Sequence, residues 1–160
     1  ADACLSADGI YRYWLSRRLT MGKRAVLFVG LNPSTADAAQ DDPTIRRCVR
    51  FAQDWGFDWL YMGNIFAFRS TDPKALDTAS DPVGPTNDGA LSVWFRTDAT
   101  TLLLCWGANA RQPRAARVAE MAKRMHGNPQ CLRVTAAGHP GHPLYIPDAV
   151  LPFPFPGYVR

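Results

Sequence analysis

At 160 residues, this chain is long enough to bury an apolar core without disulfide bonds or a bound metal, and we predict a single domain over residues 1–160. Hydrophobic residues make up 47% and charged residues 20% of the chain, and no window approaches about 18 consecutive apolar residues, which argues against a membrane span. The formal net charge of +4 is compatible with a polyanionic partner, but a charge of this size does not identify one.

The first half of the chain predicts a hairpin, a buried strand and a helix. The pair Asp8 and Gly9 is a hairpin turn signal, and strand-like aromatic residues follow it. The apolar stretch "KRAVLFVG" (23–30) is typical of a strand that is buried on both faces. The stretch "DDPTIRRCVRFAQDWG" (41–56) predicts a helix with Asp42 as its N-cap and Pro43 at its first position.

The second half of the chain alternates strands with helices. Strands are predicted over "DWLYMGNIFAF" (58–68), "TTLLLCWG" (100–107) and "QCLRVTA" (130–136). Helices are predicted around 86–96 and over "PRAARVAEMAKRMHG" (113–127). The proline-rich tail "LPFPFPGYVR" predicts no regular element.

This alternation predicts an α/β fold, a three-layer α/β/α sandwich with a mainly parallel four-stranded central sheet and an N-terminal hairpin. Ligands of such sheets bind beyond the carboxyl ends of the strands. Polar or aromatic residues follow all four predicted strands, at 32–35, 64–69, 106–109 and 139–145. We therefore expect these four segments to line one crevice.

The first of these segments follows the buried strand in the stretch "FVGLNPSTAD". Pro33 holds Asn32 extended, and the amide of Asn32 can then hold a water molecule or a substrate group. Gly30 permits close approach of a ligand to the backbone, and Ser34 and Thr35 can offer hydroxyl or backbone N–H groups to a phosphate. The alternative is a purely structural Asn-Pro turn with a capping hydroxyl.

The other segments add an amide, two histidines and two aromatic residues. Asn64 lies where an apolar strand should stay apolar, and its donor and acceptor match the edge of a pyrimidine; the alternative is that it anchors a neighbouring loop. His139 and His142 lie in the proline-rich loop "GHPGHPLY" and can donate to an anionic leaving group. Phe68 and Trp106 can stack on a base, although aromatic residues at strand ends are more often part of a core.

Several common site motifs are absent from the sequence. There is no Walker lysine, no G-x-S-x-G, no H-E-x-x-H and no G-x-G-x-x-G after the first buried strand. The four cysteines are widely spaced without a C-x-x-C, which argues against a zinc site and indicates a reducing cytoplasm. We predict no cofactor and no metal.

The motifs "LNPSTAD", "DDPTIRRC", "NIFAFRSTDPKAL", "DPVGPTND", "WGA" and "HPLYIP" occur in this order and closely resemble the bacterial and phage family known as domain of unknown function 1643. The resemblance covers nearly the whole chain. It implies no activity by itself.

More distantly, the order of motifs resembles the uracil-DNA glycosylase superfamily, which has an α/β/α sandwich fold. "VGLNPS", "LYMGNIFAFR", "LLLCWGANAR" and "HPLYI" are similar to its successive motifs. The resemblance implies that Asn32 positions the attacking water, Asn64 reads the base and His142 stabilises the leaving base, with His139 as the competing choice. The sequence departs from the superfamily pattern at Ser34 and at Leu144-Tyr145, and the second departure puts the DNA-groove wedge in question.

The leading hypothesis is therefore a glycosylase that excises a damaged or modified base from DNA in the cytoplasm, assisted by a carboxylate at Asp37, Asp41 or Asp42. The alternatives are a non-catalytic module that binds a nucleotide or nucleic acid, and a hydrolase of small nucleosides. Besides Asn32, Asn64 and the two histidines, the predicted substrate-binding residues are Gly30, Leu31, Pro33, Ser34, Thr35, Phe68, Arg69, Trp106 and Tyr145.

Overall fold

The fold is built around β3 (Ala25–Gly30), whose residues are all buried. The structure is a computed structural model that describes residues 1–98 and 100–159. β3 pairs in parallel with β4 (Trp59–Asn64) on one side and with β5 (Thr100–Leu104) on the other. Because every side chain of β3 is apolar or absent, both faces of the strand must be covered by other elements.

The sheet contains seven strands and is mixed. Its order is β1 (Asp2–Leu5), β2 (Arg12–Arg18), β4, β3, β5, β6 (Gln130–Cys131) and β7 (Phe153–Pro154). Neighbours within β4-β3-β5-β6 pair in parallel, whereas β1 with β2, β2 with β4, and β6 with β7 pair antiparallel. The predicted four-stranded parallel sheet is therefore too small, because strands from both ends of the chain extend the parallel strands at their two edges.

The two extensions differ in how far the sequence predicted them. The N-terminal hairpin of β1 and β2 is confirmed, and β2 also joins the sheet by placing Leu15 opposite Met62 of β4. The prediction of an irregular tail is wrong for β7, since Pro154 pairs with β6 and Phe155 N–H donates to Pro129 O at 2.9 Å. Proline is tolerated there because β7 is an edge strand. Residue 160, the last of that tail, lies outside the described residues.

All three predicted helices are present. α1 (Pro43–Asp54) begins at its predicted N-cap, where the Asp42 side chain accepts a hydrogen bond from Ile45 N–H at 2.9 Å. α2 (Asn87–Phe95) and α3 (Arg114–Met125) lie within the ranges predicted for them. No helix in the described part of the chain is long and apolar enough to cross a bilayer.

The helices cover the two faces of the sheet and so form three layers. Val26 and Phe28 of β3 pack on one face in a cluster with Ile45, Cys48, Phe51 and Ala52 of α1. Leu27 and Val29 pack on the other face in a cluster with Leu91 and Phe95 of α2 and Ala115, Val118 and Ala122 of α3. The alternation of β3 side chains between the two clusters follows from the pleat of the strand.

Three strands end earlier than predicted, among them β5, which stops at Leu104 of the predicted 100–107. β4 stops at Asn64, and beyond it Ile65 N–H and Phe66 N–H bond to the carbonyls of Gly30 and Leu31, after which Ala67 N–H bonds to Val83 O in a distant loop. β6 has only two residues of the predicted 130–136. After each of these three strands the chain leaves the sheet where its backbone finds partners in loops.

The strand order reverses at β3, since the chain runs from β3 to β4 on one side and later to β5 on the other. Loops that leave the carboxyl ends of β3 and β5 therefore diverge to opposite faces and open a crevice between them. This is the edge of the sheet at which the sequence predicts the site.

Candidate functional site

A cleft of about 410 Å³ opens at the carboxyl ends of β3, β4 and β5, and we call it the switch-point cleft. Its volume lies in the range of small-molecule sites. Its lining comes from the loops after these strands, from β2, from the start of α1 and from the 3₁₀ turn Pro143–Tyr145. The lining residues are Arg12, Gly30–Ser34, Asp42, Thr44, Ile45, Met62, Asn64, Ser70, Thr71, Pro73, Cys105–Asn109, Arg133, Thr135, Gly141, His142 and Leu144–Ile146.

Most of the predicted site residues line this cleft. They are Gly30, Leu31, Asn32, Pro33, Ser34, Asn64, Trp106, His142 and Tyr145. Thr35 and Arg69 instead line a shallow depression beside it, together with Ser34. Phe68 packs edge-on against Tyr11, and His139 lies in a buried network described below. The structure thus brings Asn32, Asn64 and His142 together and leaves His139 apart.

Asn32 is held firmly by the loop that follows β4. Its Nδ2 donates to Ser70 O at 3.0 Å, to Pro33 O at 3.2 Å and to Phe68 O at 3.4 Å. Since carbonyls only accept, these contacts assign the nitrogen of the amide to the loop. No group in the described part of the chain donates to Oδ1, so Asn32 offers the cleft an acceptor in a fixed position.

Asn64 is buried at the end of β4, and Arg12 determines which way its amide faces. Arg12 Nη2 donates to Asn64 Oδ1 at 3.4 Å, and within residues 1–98 and 100–159 the Nδ2 of Asn64 has no acceptor. Gly30 makes room for this arrangement, because a Cβ at that position would lie 3.0 Å from Asn64 Nδ2 and 2.7 Å from Met62 Cε. Asn64 therefore presents donors, not a donor and an acceptor, to the cleft.

His142 caps the 3₁₀ turn Pro143–Tyr145, and this cap determines its tautomer. Its Nδ1 accepts a hydrogen bond from Leu144 N–H at 3.2 Å, so a neutral ring carries its proton on Nε2. Burial lowers the pKa of His142, while the nearby Asp42 carboxylate acts in the opposite direction. At neutral pH the ring is thus an uncharged donor through Nε2.

Gly107 allows the His142 loop to approach the end of β5. Its N–H donates to Pro140 O at 2.8 Å, its φ is +80°, and a Cβ there would lie 2.9 Å from the Cβ of His142. Any other residue would both strain the backbone and push His142 away.

His139 and Trp106 belong to a buried network, in which Trp106 also forms part of the cleft wall while His139 does not line the cleft. The Tyr158 hydroxyl lies 2.7 Å from His139 Nδ1 and accepts from Trp106 Nε1 at 2.8 Å. Trp106 is only 1% exposed and packs edge-on against Phe155, so its ring forms a wall and has no free face for stacking. Tyr145, by contrast, is 74% exposed at the rim, next to the His142 ring.

Of the three carboxylates expected to assist, Asp42 lines the cleft. It is buried, and one of its oxygens caps α1. Asp37 accepts hydrogen bonds from Ala39 and Gln40 N–H in its own turn, and Asp41 forms an ion pair with Arg17 at 2.8 Å. The carboxylate available to the cleft is therefore Asp42.

Sequence reasoning missed Arg12, which lies under the cleft and is only 2% exposed. Its Nη1 donates to Ala36 O at 2.8 Å, its Nη2 to Asn64, and its Nε lacks a partner among the described residues. Burial lowers the pKa of Arg12 to about 10, which still leaves it charged at neutral pH. The side chains of β2 alternate between its two faces, which indicates that some of them point toward the interior. This alternation does not indicate that Arg12 is one of them.

The other reactive groups of the cleft are inert or scattered. Burial raises the pKa of the Cys105 thiol, so it is protonated and a poor nucleophile at neutral pH. Within residues 1–98 and 100–159, no three His, Cys, Asp or Glu side chains are arranged to hold a metal ion. The cleft therefore offers hydrogen bonds, one carboxylate and one buried cation.

Residues 12–144 match the model of a family described as a protein of unknown function (DUF1643). The match runs from Arg12 to Leu144 and so includes all of the cleft lining except Tyr145 and Ile146. Neither the search of curated proteins nor the search of solved structures gives a match. The first resemblance seen in the sequence is thus confirmed, and the one to uracil-DNA glycosylases stays a prediction.

We predict that Gly107→Ala destabilises the protein by more than backbone strain alone. Gly127→Ala is the matched control, because Gly127 has a φ of +93° but nothing within 4 Å of an added Cβ. We expect the control to cost about 1–2 kcal/mol of unfolding free energy and Gly107→Ala to cost more, measured by urea denaturation. The His142 ring resonances should shift only in Gly107→Ala. Equal losses and an unmoved His142 would contradict the packing described.

We predict that acidification destabilises the protein partly through His142. Burial lowers the pKa of His142 in the folded chain below the ordinary value of about 6.5. As the pH falls below about 6.5, the unfolded chain therefore binds a proton that the folded chain does not, and the free energy of unfolding decreases. His142→Asn keeps a cap acceptor for Leu144 N–H and removes the titration. Unfolding free energies between about pH 8 and pH 5 should therefore depend less on pH in His142→Asn than in the parent. Identical slopes would refute this assignment.

Proposed function

We propose that this chain, which belongs to the DUF1643 family, cleaves the N-glycosidic bond of a damaged or modified nucleobase in DNA. The observation that carries the proposal is that Asn32, Asn64 and His142, which lie far apart in the sequence, line a single cleft at the switch point of the sheet. Their three chemical abilities are the ones such a cleavage requires.

Breaking an N-glycosidic bond develops positive charge on the sugar and negative charge on the base. An enzyme accelerates it by binding the departing base as an anion and by holding a water molecule against the sugar. His142 suits the first task, since its Nε2–H is a neutral donor that can stabilise negative charge on a base oxygen or nitrogen. Because the His142 ring is neutral, Nε2 also keeps its proton until negative charge develops on the departing base.

Asn32 and Asp42 suit the second task. The Oδ1 of Asn32 can accept one hydrogen of a water molecule, and the loop carbonyls that hold Nδ2 keep that acceptor fixed. Asp42 supplies a carboxylate that can take the other proton as the sugar is attacked. Asn64 donors facing the cleft would select the base.

Two further observations support a nucleic-acid substrate. Leu144 and Tyr145 are exposed side by side on the 3₁₀ turn at the rim, where they could contact bases next to a flipped nucleotide. The formal charge of +4 favours a polyanion, and the four free thiols fit the reducing cytoplasm in which such an enzyme would act.

A non-catalytic nucleotide-binding module on the same fold is the second candidate. It is favoured by the three hydrogen bonds from Asn32 to the loop, because an amide used for structure need not hold water. A small-nucleoside hydrolase is the third, and the cleft volume of about 410 Å³ accommodates a nucleoside. A panel of base-modified oligonucleotides and free nucleosides, assayed for base release, separates the three functions: release of no base, with nucleotide binding retained, would select the module.

On any substrate that the panel identifies, we predict that Asn32→Ala lowers single-turnover cleavage by about 10²-fold or more, the loss expected for one preorganised group. Substrate binding should survive, because the water holder contacts the base little. Asn128→Ala, an exposed amide far from the cleft, is the control. Since Asn32 also anchors a loop, melting temperatures of both variants must be measured. Parental cleavage rates in a folded Asn32→Ala would remove Asn32 from the mechanism.

Two substitutions of Asp42 separate its role as the N-cap of α1 from its role as the carboxylate that takes a proton from water. Asparagine is as good an N-cap as aspartate, so Asp42→Asn should change stability by less than about 0.5 kcal/mol, whereas Asp42→Ala should cost about 1 kcal/mol. Both should lower single-turnover cleavage by about 10²-fold or more, because both remove the carboxylate. Full activity in Asp42→Asn would show that the carboxylate serves only the helix.

A further inference from the structure

We propose that the buried end of the switch-point cleft, formed by Arg12 and Asn64, is a subsite for an anionic, acceptor-only group of the ligand. In the context of the proposed function, on which this inference rests, the preferred base is one whose inner edge carries oxygen acceptors and a negative charge. An edge with an exocyclic amino donor would be disfavoured.

Arg12 is buried without an ion-pair partner in the described part of the chain. The other two buried arginines have carboxylate partners: Arg17 lies 2.8 Å from Asp41, and Arg114 lies 2.7 Å from Asp88. No ion pair among residues 1–98 and 100–159 includes Arg12, which has only a carbonyl and an amide as acceptors. A buried cation without a carboxylate in contact with it is costly, and an anionic ligand would compensate it.

The hydrogen bond between Arg12 and Asn64 has a fixed direction. Arginine only donates, so its bond to Asn64 Oδ1 turns the amide oxygen toward Arg12 and the Nδ2 donors toward the cleft. Arg12 adds an Nε–H that has no partner among the described residues. Both side chains line the cleft, and their groups without a partner among the described residues, Asn64 Nδ2 and the buried Arg12 Nε, are donors. Such a surface binds acceptors and repels donors.

Charges of both signs surround Arg12. The charge that affects Arg12 most is the opposite charge of Asp42, followed by the like charges of Arg69 and Arg17 and then by Asp37. Asp42 lines the same cleft, but it is engaged as the N-cap of α1 and forms no ion pair with Arg12. The cleft lining nevertheless holds two cationic side chains, Arg12 and Arg133, and one carboxylate, Asp42, and this excess of positive charge favours an anionic ligand.

The test measures binding and needs no cleavage. We would titrate the protein by calorimetry with 5-carboxyuracil, uracil, cytosine and inorganic phosphate. The parent should bind 5-carboxyuracil at least about 10-fold more tightly than uracil, the value of one charge-assisted hydrogen bond, and cytosine most weakly. Equal affinities for 5-carboxyuracil and uracil would overturn the inference, while the glycosylase proposal would still stand or fall by base release.

Three variants assign the effect to this pair of residues. Arg12→Gln should abolish the preference for 5-carboxyuracil, whereas Arg17→Gln, a buried arginine on the same strand, should keep it. Asn64→Asp keeps the test usable if Arg12→Gln does not fold. It gives Arg12 a carboxylate partner, so it should keep the melting temperature of the parent and lose anion binding. A preference that survives in folded Asn64→Asp or Arg12→Gln would overturn the assignment.

The titration with inorganic phosphate tests whether the anion that the subsite accepts is a carboxylate on the base or a phosphate group. Phosphate that competes with 5-carboxyuracil and is lost in Arg12→Gln would support the anionic subsite and indicate that it accepts a phosphate group. Phosphate binding that is unchanged in Arg12→Gln would be an adventitious ion only and would count against anion recognition by Arg12.

Discussion

The position of β3 between two parallel neighbours is the constraint on which the rest of the molecule depends. β3 is apolar on both faces and is paired along both edges, so the polar residues after Gly30 can only leave the sheet at its carboxyl end. The order of strands reverses at the same place, which separates the loops after β3 and β5. The strand that contributes most to the core thus also determines where the cleft opens.

How far the sequence predicted the fold depends on how local each interaction is. α1 was predicted closely because its signals, the Asp42 cap and Pro43, lie within a few residues of each other. β7 was missed because Pro154 becomes part of the sheet only through pairing with a distant segment at Gln130. The same holds for β2, whose hairpin is local but whose contact with β4 is not. Pairing between distant segments leaves little trace in a local pattern.

The candidate site shows the same division. Asn32, Asn64 and His142 were predicted because each follows a strand, and strand ends of a parallel sheet meet at one edge. Arg12 was missed because it begins an antiparallel strand whose first residue lies beside the carboxyl end of β4, and no local pattern reveals that pairing or its burial. His139 remained the competing choice beside His142, since only the distant Tyr158 distinguishes a histidine that serves the core from one that faces the cleft.

The hydroxyl of Tyr158 has a consequence for how the protein is made. It bonds to Trp106 in the cleft wall and to His139 beside it, and Trp106 lies 52 positions earlier in the chain. During synthesis the N-terminal segments leave the ribosome first, so the strands of the sheet can pair while the partner of Trp106 is still missing. A nascent chain can therefore pair β1 to β6 before it completes its cleft, whereas β7 and the core residue Phe155 emerge together with Tyr158. Translation would have to pass residue 158 before a ligand meets a finished wall.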